Sequence, residues 1–299
     1  VTEDPTIWAG LNHPELPLEE ADIAVFGIPY DGGVSFRSGT CEAPQALRGI
    51  TYTISPTTED FRDISPLKIK DLGDCVGKNR DEIFAEAEEL AFQAVKAGKF
   101  FTMIGGDHSV TIPIARALDM YEDLCIVQFD AHLDFGMRIN TNGSPMRMVS
   151  QMPHFTKMCQ IGMRGLGSNT REDFQAAYDY GSVVIPARKA LEMGAQEVLK
   201  MIPKAKNYYV TIDIDGYDMN TAPGVGSPSP GGLNYVFETD VLEGIAKMGN
   251  VVGFDLVEVA PQYDPTGITP RLGAMTMLAF MGFIMKEREM KGLLKHQQA

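Results

Sequence analysis

The chain has 299 residues, 44% of them hydrophobic and 22% charged, with a formal net charge of −14. These proportions suit a soluble globular protein with a sizeable core, and the acidic balance argues against nucleic acid, whose binding needs a basic surface. Cys41, Cys75, Cys125 and Cys159 lie far apart without a Cys-x-x-Cys pair, so they read as free thiols in a reducing compartment. With no secretory signal and no apolar run of about 18 residues, the expectation is a cytoplasmic protein without a membrane partner.

Residues 1–20 are rich in proline and acid, show little periodicity and read as an N-terminal arm. Residues 21–299 carry no linker, composition break or repeat and read as one domain. Short apolar runs predict strands at 22–28, 68–72, 100–104, 124–129, 158–162, 182–186, 208–214 and 251–258. Between them, helical spacing predicts helices at 80–97, 109–119, 171–179, 189–202, 236–248 and about 268–291. In the first of these, Ile83, Ala87, Leu90, Ala91 and Ala94 form the apolar stripe. Eight strands alternating with helices predict a mainly parallel α/β sheet covered on both faces. The count alone does not separate an open sheet from a closed barrel.

Three strand ends carry the chemistry. Leu124–Phe129 runs into Asp130-Ala-His132-Leu-Asp134, Tyr208–Ile212 into Asp213-Ile-Asp215, and Phe100–Ile104 into Gly105-Gly-Asp-His108. If each strand continues through its motif, alternation brings residues i, i+2 and i+4 to one face. Any one piece could be a turn or a helix cap, but three together repeat one chemistry. Four carboxylates and two imidazoles in one place would repel strongly without cations. Two divalent ions sharing bridging carboxylates fit the set, and mostly oxygen donors favour Mn²⁺ over Ni²⁺, Co²⁺ or zinc.

Gly105-Gly-Asp-His-Ser109, Asp130-Ala-His-Leu-Asp134 and Asp213-Ile-Asp-Gly-Tyr-Asp218, with Pro223-Gly-Val-Gly-Ser-Pro228, resemble the signatures of the ureohydrolases, the family of arginase and agmatinase. Gly27-Ile-Pro-Tyr-Asp-Gly-Gly33 and Gly253-Phe-Asp-Leu-Val-Glu-Val-Ala-Pro261 extend the resemblance over nearly the whole chain, closest to the agmatinase branch. It implies a three-layer α/β/α fold on an eight-stranded, mainly parallel sheet, assembled as a trimer or hexamer. His108 and Asp134 would serve one ion, His132 and Asp215 the other, with Asp130 and Asp213 bridging. The ions would activate a water to attack the carbon of a small cationic guanidino substrate, releasing urea and an amine. Glu258 would hold the guanidinium. The segment around Ile28 to Asp31, with Gly39 and Pro44, would be scaffold and a subunit contact.

One position departs from the pattern. Relatives carry His-Gly-Ser/Thr after the Asp-Ala-His-x-Asp motif, and that histidine helps protonate the leaving amine; this chain has Asn142-Gly143-Ser144 after a shortened segment. Asparagine cannot carry a proton between states, yet its place assigns Asn142, with Asp130 and Glu258, to the reacting centre. His154 is a candidate substitute, and His13 and His296 receive no role. The substrates in view are agmatine, guanidino acids such as guanidinobutyrate, guanidine and formiminoglutamate. A catalytically silent metal-binding paralogue and a deacetylase-like single-zinc hydrolase are the competing classes.

Overall fold

A computed structural model of the protein describes residues 2–164 and 169–293. The strands are β1 (Ile23–Ile28), β2 (Ile69–Asp74), β3 (Phe100–Gly105), β4 (Leu124–Phe129), β5 (Phe155–Met163), β6 (Val183–Pro186), β7 (Asn207–Asp213) and β8 (Asn250–Val257). They form one sheet in the order β2-β1-β3-β8-β7-β4-β5-β6, and every pairing is parallel. β2 and β6 are edges, so the sheet is open.

Alternation along β1 shows why its run is apolar throughout. Ile23 and Val25 pack into the core shared with the helices Ala43–Thr51, Tyr235–Met248 and Ile268–Met290. Ala24, Phe26 and Ile28 join the opposite core, with Phe84 and Ala87 of the helix Arg80–Lys96. A parallel sheet covered on both faces leaves no polar side on its strands. The result is three layers, α/β/α.

The helices differ in places from expectation. The segment 189–202 is two helices, Ala187–Met193 and Ala195–Met201, broken at Gly194 where φ is +79°. The segment 109–119 shortens to a 3₁₀ turn, His108–Val110, and the helix Thr111–Arg116. Ala43–Thr51, with Pro44 in its first turn, and Pro145–Val149 form where no helix was expected; proline suits a helix start, so it marks an opening here.

Ile268–Met290 does contain an 18-residue window apolar enough to cross a membrane, against the expectation of no such run. It packs on Tyr235–Met248 and Ala43–Thr51, and 67% of that window is buried. Burial within the protein accounts for its apolarity. Residues 1–20 contribute Ile7, Trp8 and Leu11 to the core. The Trp8 indole donates to Asp71 Oδ2 at 2.7 Å, beside the buried Arg48, which donates to the same carboxylate.

Candidate metal centre and active site

The four central strands, β3-β8-β7-β4, deliver the site residues from their C-terminal ends, where open parallel sheets bind ligands. Convergence does not come from strand alternation. β4 ends at Phe129, and Asp130 to Asp134 lie in the following loop. There the His132 N–H donates to Asp130 Oδ1 at 2.5 Å, and Asp134 takes the left-handed conformation at φ +55°. β7 ends at Asp213, whose carboxylate caps the 3₁₀ turn Ile214–Gly216 by accepting the Asp215 N–H at 2.8 Å. The strands supply rigid ends and these turns aim the side chains.

The six residues meet in one cluster, buried except for the half-buried His132. His108 Nδ1 lies 2.8 Å from Asp134 Oδ2, 3.1 Å from Asp130 Oδ2 and 3.3 Å from Asp213 Oδ2. His132 Nδ1 lies 3.1 Å from Asp215 Oδ2 and 3.4 Å from Asp130 Oδ1. Two ligand groups share Asp130: His108, Asp130 and Asp134, and Asp130, His132 and Asp215.

The electrostatics favour cations. Burial opposes charge on His108, but Asp134, Asp130 and Asp213 hold its pKa well above the ordinary value. His132 is likewise pushed up against burial by Asp215 and Asp130. Burial, then the neighbouring Asp130, raises Asp134 to about 7, and burial with Asp215 and Asp130 raises Asp213 well above its usual range. Asp130, facing both imidazoles, is lowered despite burial.

The donor set fits divalent metals. Among the described residues His108 Nδ1 and Asp134 Oδ2 are buried and lack a hydrogen-bond partner of good geometry, though they lie 2.8 Å apart. Thr211 donates its hydroxyl to Asp255 Oδ1 at 2.6 Å, so it accepts from His108 Nε2 at 2.8 Å. That chain keeps a proton on Nε2, so when a cation displaces the Nδ1 proton that the carboxylates otherwise stabilise, the ring is left in the tautomer a metal ligand needs.

Glu258 follows β8 and is buried in the left-handed conformation, φ +66°, a strain that persists only where surroundings enforce it. Its Oε1 accepts the His108 N–H at 3.0 Å and Asn142 Nδ2 at 3.1 Å. Burial, then the charge of Asp107, pushes its carboxyl up to about 8. Asn142 Oδ1 is buried without a partner among the described residues, while its backbone N–H donates to the Gly33 carbonyl at 3.0 Å. Glu258 and Asn142 border a cleft of about 440 Å³ together with His132, Asp134, Asp213 and Asp215.

His154 is not in this cleft. It precedes β5 at the opposite end of the sheet, and its Nε2 lies 2.8 Å from the Ala115 carbonyl, which removes it as the missing proton carrier. His296 lies outside the described residues.

Three supporting residues escaped the sequence reading. Asp255 accepts hydroxyls from Thr211, Tyr209 and Thr111; an acid inside the apolar run 251–257 was the available signal. Asp107 accepts the Gly33 N–H at 2.7 Å, fixing one cleft wall, and burial raises its carboxyl to about 6. At Gly106 a Cβ would stand 1.8 Å from the Tyr30 carbonyl oxygen, so only glycine lets that turn approach β1.

Residues 21–282 match the Arginase family. The chain belongs to that family. Guanidinopropionase from Pseudomonas aeruginosa is 31% identical over 87% of this chain and 85% of its own length. Agmatinase from Bacillus anthracis is 34% identical over 87% and 90%. The solved structure of proclavaminate amidinohydrolase from Streptomyces clavuligerus superposes with a TM-score of 0.83 at 29% identity, covering 92% of this chain and 95% of that one. This arginase-family chain is therefore a hydrolase of C–N bonds in linear amidines, of a family with a binuclear divalent metal centre. The open eight-stranded sheet is the family's fold.

Proposed function

We propose that the cluster holds two divalent cations and hydrolyses a guanidino compound to urea and an amine. The observation that carries this reading is the pair of buried atoms His108 Nδ1 and Asp134 Oδ2, which make no hydrogen bond among the described residues and lie 2.8 Å apart, with Asp134 lining the cleft that also presents Glu258. His108 and Asp134 would hold one ion, His132 and Asp215 the other, and Asp130 and Asp213 both. Mostly oxygen ligands with two imidazoles favour manganese, ahead of nickel or cobalt.

Bound cations would supply an acidified water as nucleophile. The remaining work belongs to the chain. Among the described residues Glu258 Oε2 makes no hydrogen bond, and Asn142 Oδ1 is unpartnered; these two acceptors take N–H groups of the guanidinium and turn its carbon toward the floor. A planar cation against a buried carboxylate gives the orientation that makes such a step efficient. The water oxygen becomes the urea carbonyl, the bond to the substituted nitrogen breaks, and both water protons end on the departing amine. Asn142 cannot relay them, so proton delivery is left to water and turnover is slower than with an imidazole there.

Urea release by protein reconstituted separately with manganese and nickel, across a guanidino panel, tests this. Asn142 also favours a second reading, a silent paralogue that binds metal and ligand; bound metal without urea from any compound would select it. The family likeness supports a homo-oligomer, trimer or hexamer, in the cytoplasm, which sedimentation and fractionation would check.

A further inference from the structure

The acidic side chains of the cleft all sit around its floor: Asp134, Asp213, Asp215 and Glu258. The rim is different. Arg138 borders the cleft, is exposed, and forms no ion pair through its guanidinium among the described residues. Its position is fixed by the short loop after Asp134: the Gly136 N–H donates to the Gly143 carbonyl at 2.8 Å, and the Thr141 hydroxyl donates to the Arg138 carbonyl at 2.9 Å. Asn169 borders the same cleft. Its Oδ1 accepts the Leu133 N–H at 3.3 Å, which settles the amide's orientation, and its buried Nδ2 donor has no partner among the described residues.

Charge decides what such a rim accepts. With two divalent ions on the floor, their charge offsets the four aspartates, and a guanidinium offsets Glu258. Arg138 is then the uncompensated charge of the cleft, and no carboxylate lines it away from the floor. An ammonium at the far end of the substrate would face a like charge. A carboxylate would find a guanidinium fork and an amide donor.

We infer that the substrate is a linear guanidino acid whose carboxylate is held by Arg138 and Asn169, rather than a guanidino amine. The inference rests on the amidinohydrolase reading and specifies the tail its pocket takes. It makes Arg138 the residue that sets specificity through charge, partly by repelling the wrong tail.

The test uses the metal-loaded full chain with guanidinobutyrate and agmatine, measuring urea release and, by calorimetry, affinity for each. Guanidinobutyrate should be preferred at least about tenfold, the worth of one charge-assisted contact, and Arg138→Glu should invert the preference. Arg138 is exposed and has no side-chain partner to lose among the described residues, so the variant should fold. Urea release with agmatine equal or preferred, or a ratio unmoved by Arg138→Glu, would overturn the inference and leave the hydrolase reading intact. Tighter calorimetric binding of guanidinobutyrate that inverts in Arg138→Glu, with no urea formed, would sustain Arg138 and Asn169 as a carboxylate subsite while sinking the hydrolase reading and, with it, the compound's standing as substrate. Binding of neither compound would overturn both.

Discussion

Asn142 donates from Nδ2 to Glu258 Oε1 across 3.1 Å, sharing that oxygen with the backbone N–H of His108 at 3.0 Å. One carboxylate oxygen thereby joins the loop after β4, the turn after β3 and the end of β8. Asn142→Ala should lower kcat/KM by about ten- to hundredfold, the scale of one hydrogen bond to a charged group, with metal content unchanged. Asn142→Asp, nearly isosteric, should be worse because it sets a second carboxylate against Glu258. Steady-state urea kinetics with elemental analysis checks both. Full activity in Asn142→Asp would mean the amide does not support Glu258.

Removing the charge of Glu258 while keeping its shape separates substrate binding from metal binding. Glu258→Gln can still accept the His108 N–H but offers no anion to a guanidinium. The expected result is a kcat/KM reduced at least about 10²-fold, the scale of losing one partner of a desolvated charge pair, with KM raised and both ions retained. Unchanged kcat/KM would rule Glu258 out as the anchor.

The chain His108 Nε2 to Thr211 to Asp255 predicts an uneven loss of metal. Asp255→Asn leaves a buried carbonyl for three hydroxyls and removes the charge behind Thr211. Affinity for the ion served by His108 should fall about 10- to 100-fold, as for other outer-layer changes, while the ion served by His132 is held. Titrating metal against the variant should show two separated binding steps. Equal weakening of both would contradict the assigned division of ligands.

The sequence was most legible where one structural period governs many residues. All eight strands lie on or near their expected ranges; burial on both faces makes inner strands such as β1, β3, β4 and β7 continuous apolar runs, whereas the edge strand β2, Ile69–Asp74, is mixed and only half-buried. Legibility fell where single backbone choices decide the outcome. Nothing in the spacing of Asp130, His132 and Asp134 told that β4 stops at Phe129 and that a left-handed Asp134 turns its carboxylate back to His108. The split at Gly194 and the helix opened by Pro44 are of the same kind. Trp8 was hidden for another reason: its place depends on Asp71, 63 residues away.

Glu238 makes a prediction independent of catalysis. It is wholly buried in the helix Tyr235–Met248, neither carboxylate oxygen has a hydrogen-bond partner of good geometry among the described residues, and burial lifts its pKa from 4.5 to about 8 against the lowering effect of the neighbouring Tyr217 hydroxyl. Below the ordinary value both folded and unfolded chains hold the proton, so there is no penalty. Between the two values the unfolded chain loses its proton while the folded chain keeps it, and stability falls as pH rises. Glu238→Gln should therefore exceed wild type in Tm by several degrees at about pH 8 and by little at about pH 5. Thermal scans across that range check the sign; a gap that does not widen with pH would show that Glu238 is not held protonated.

The central claim is that six side chains from three strand ends make one two-ion hydrolytic centre. Elemental analysis and urea release on the same reconstituted protein, beside Asp130→Asn, tests it most directly. Two ions per chain with urea formed from a guanidino compound, and the loss of both ions and of urea release in Asp130→Asn, is the predicted result. One ion or none in active protein, or an Asp130→Asn variant that still forms urea at the wild-type rate, would contradict it.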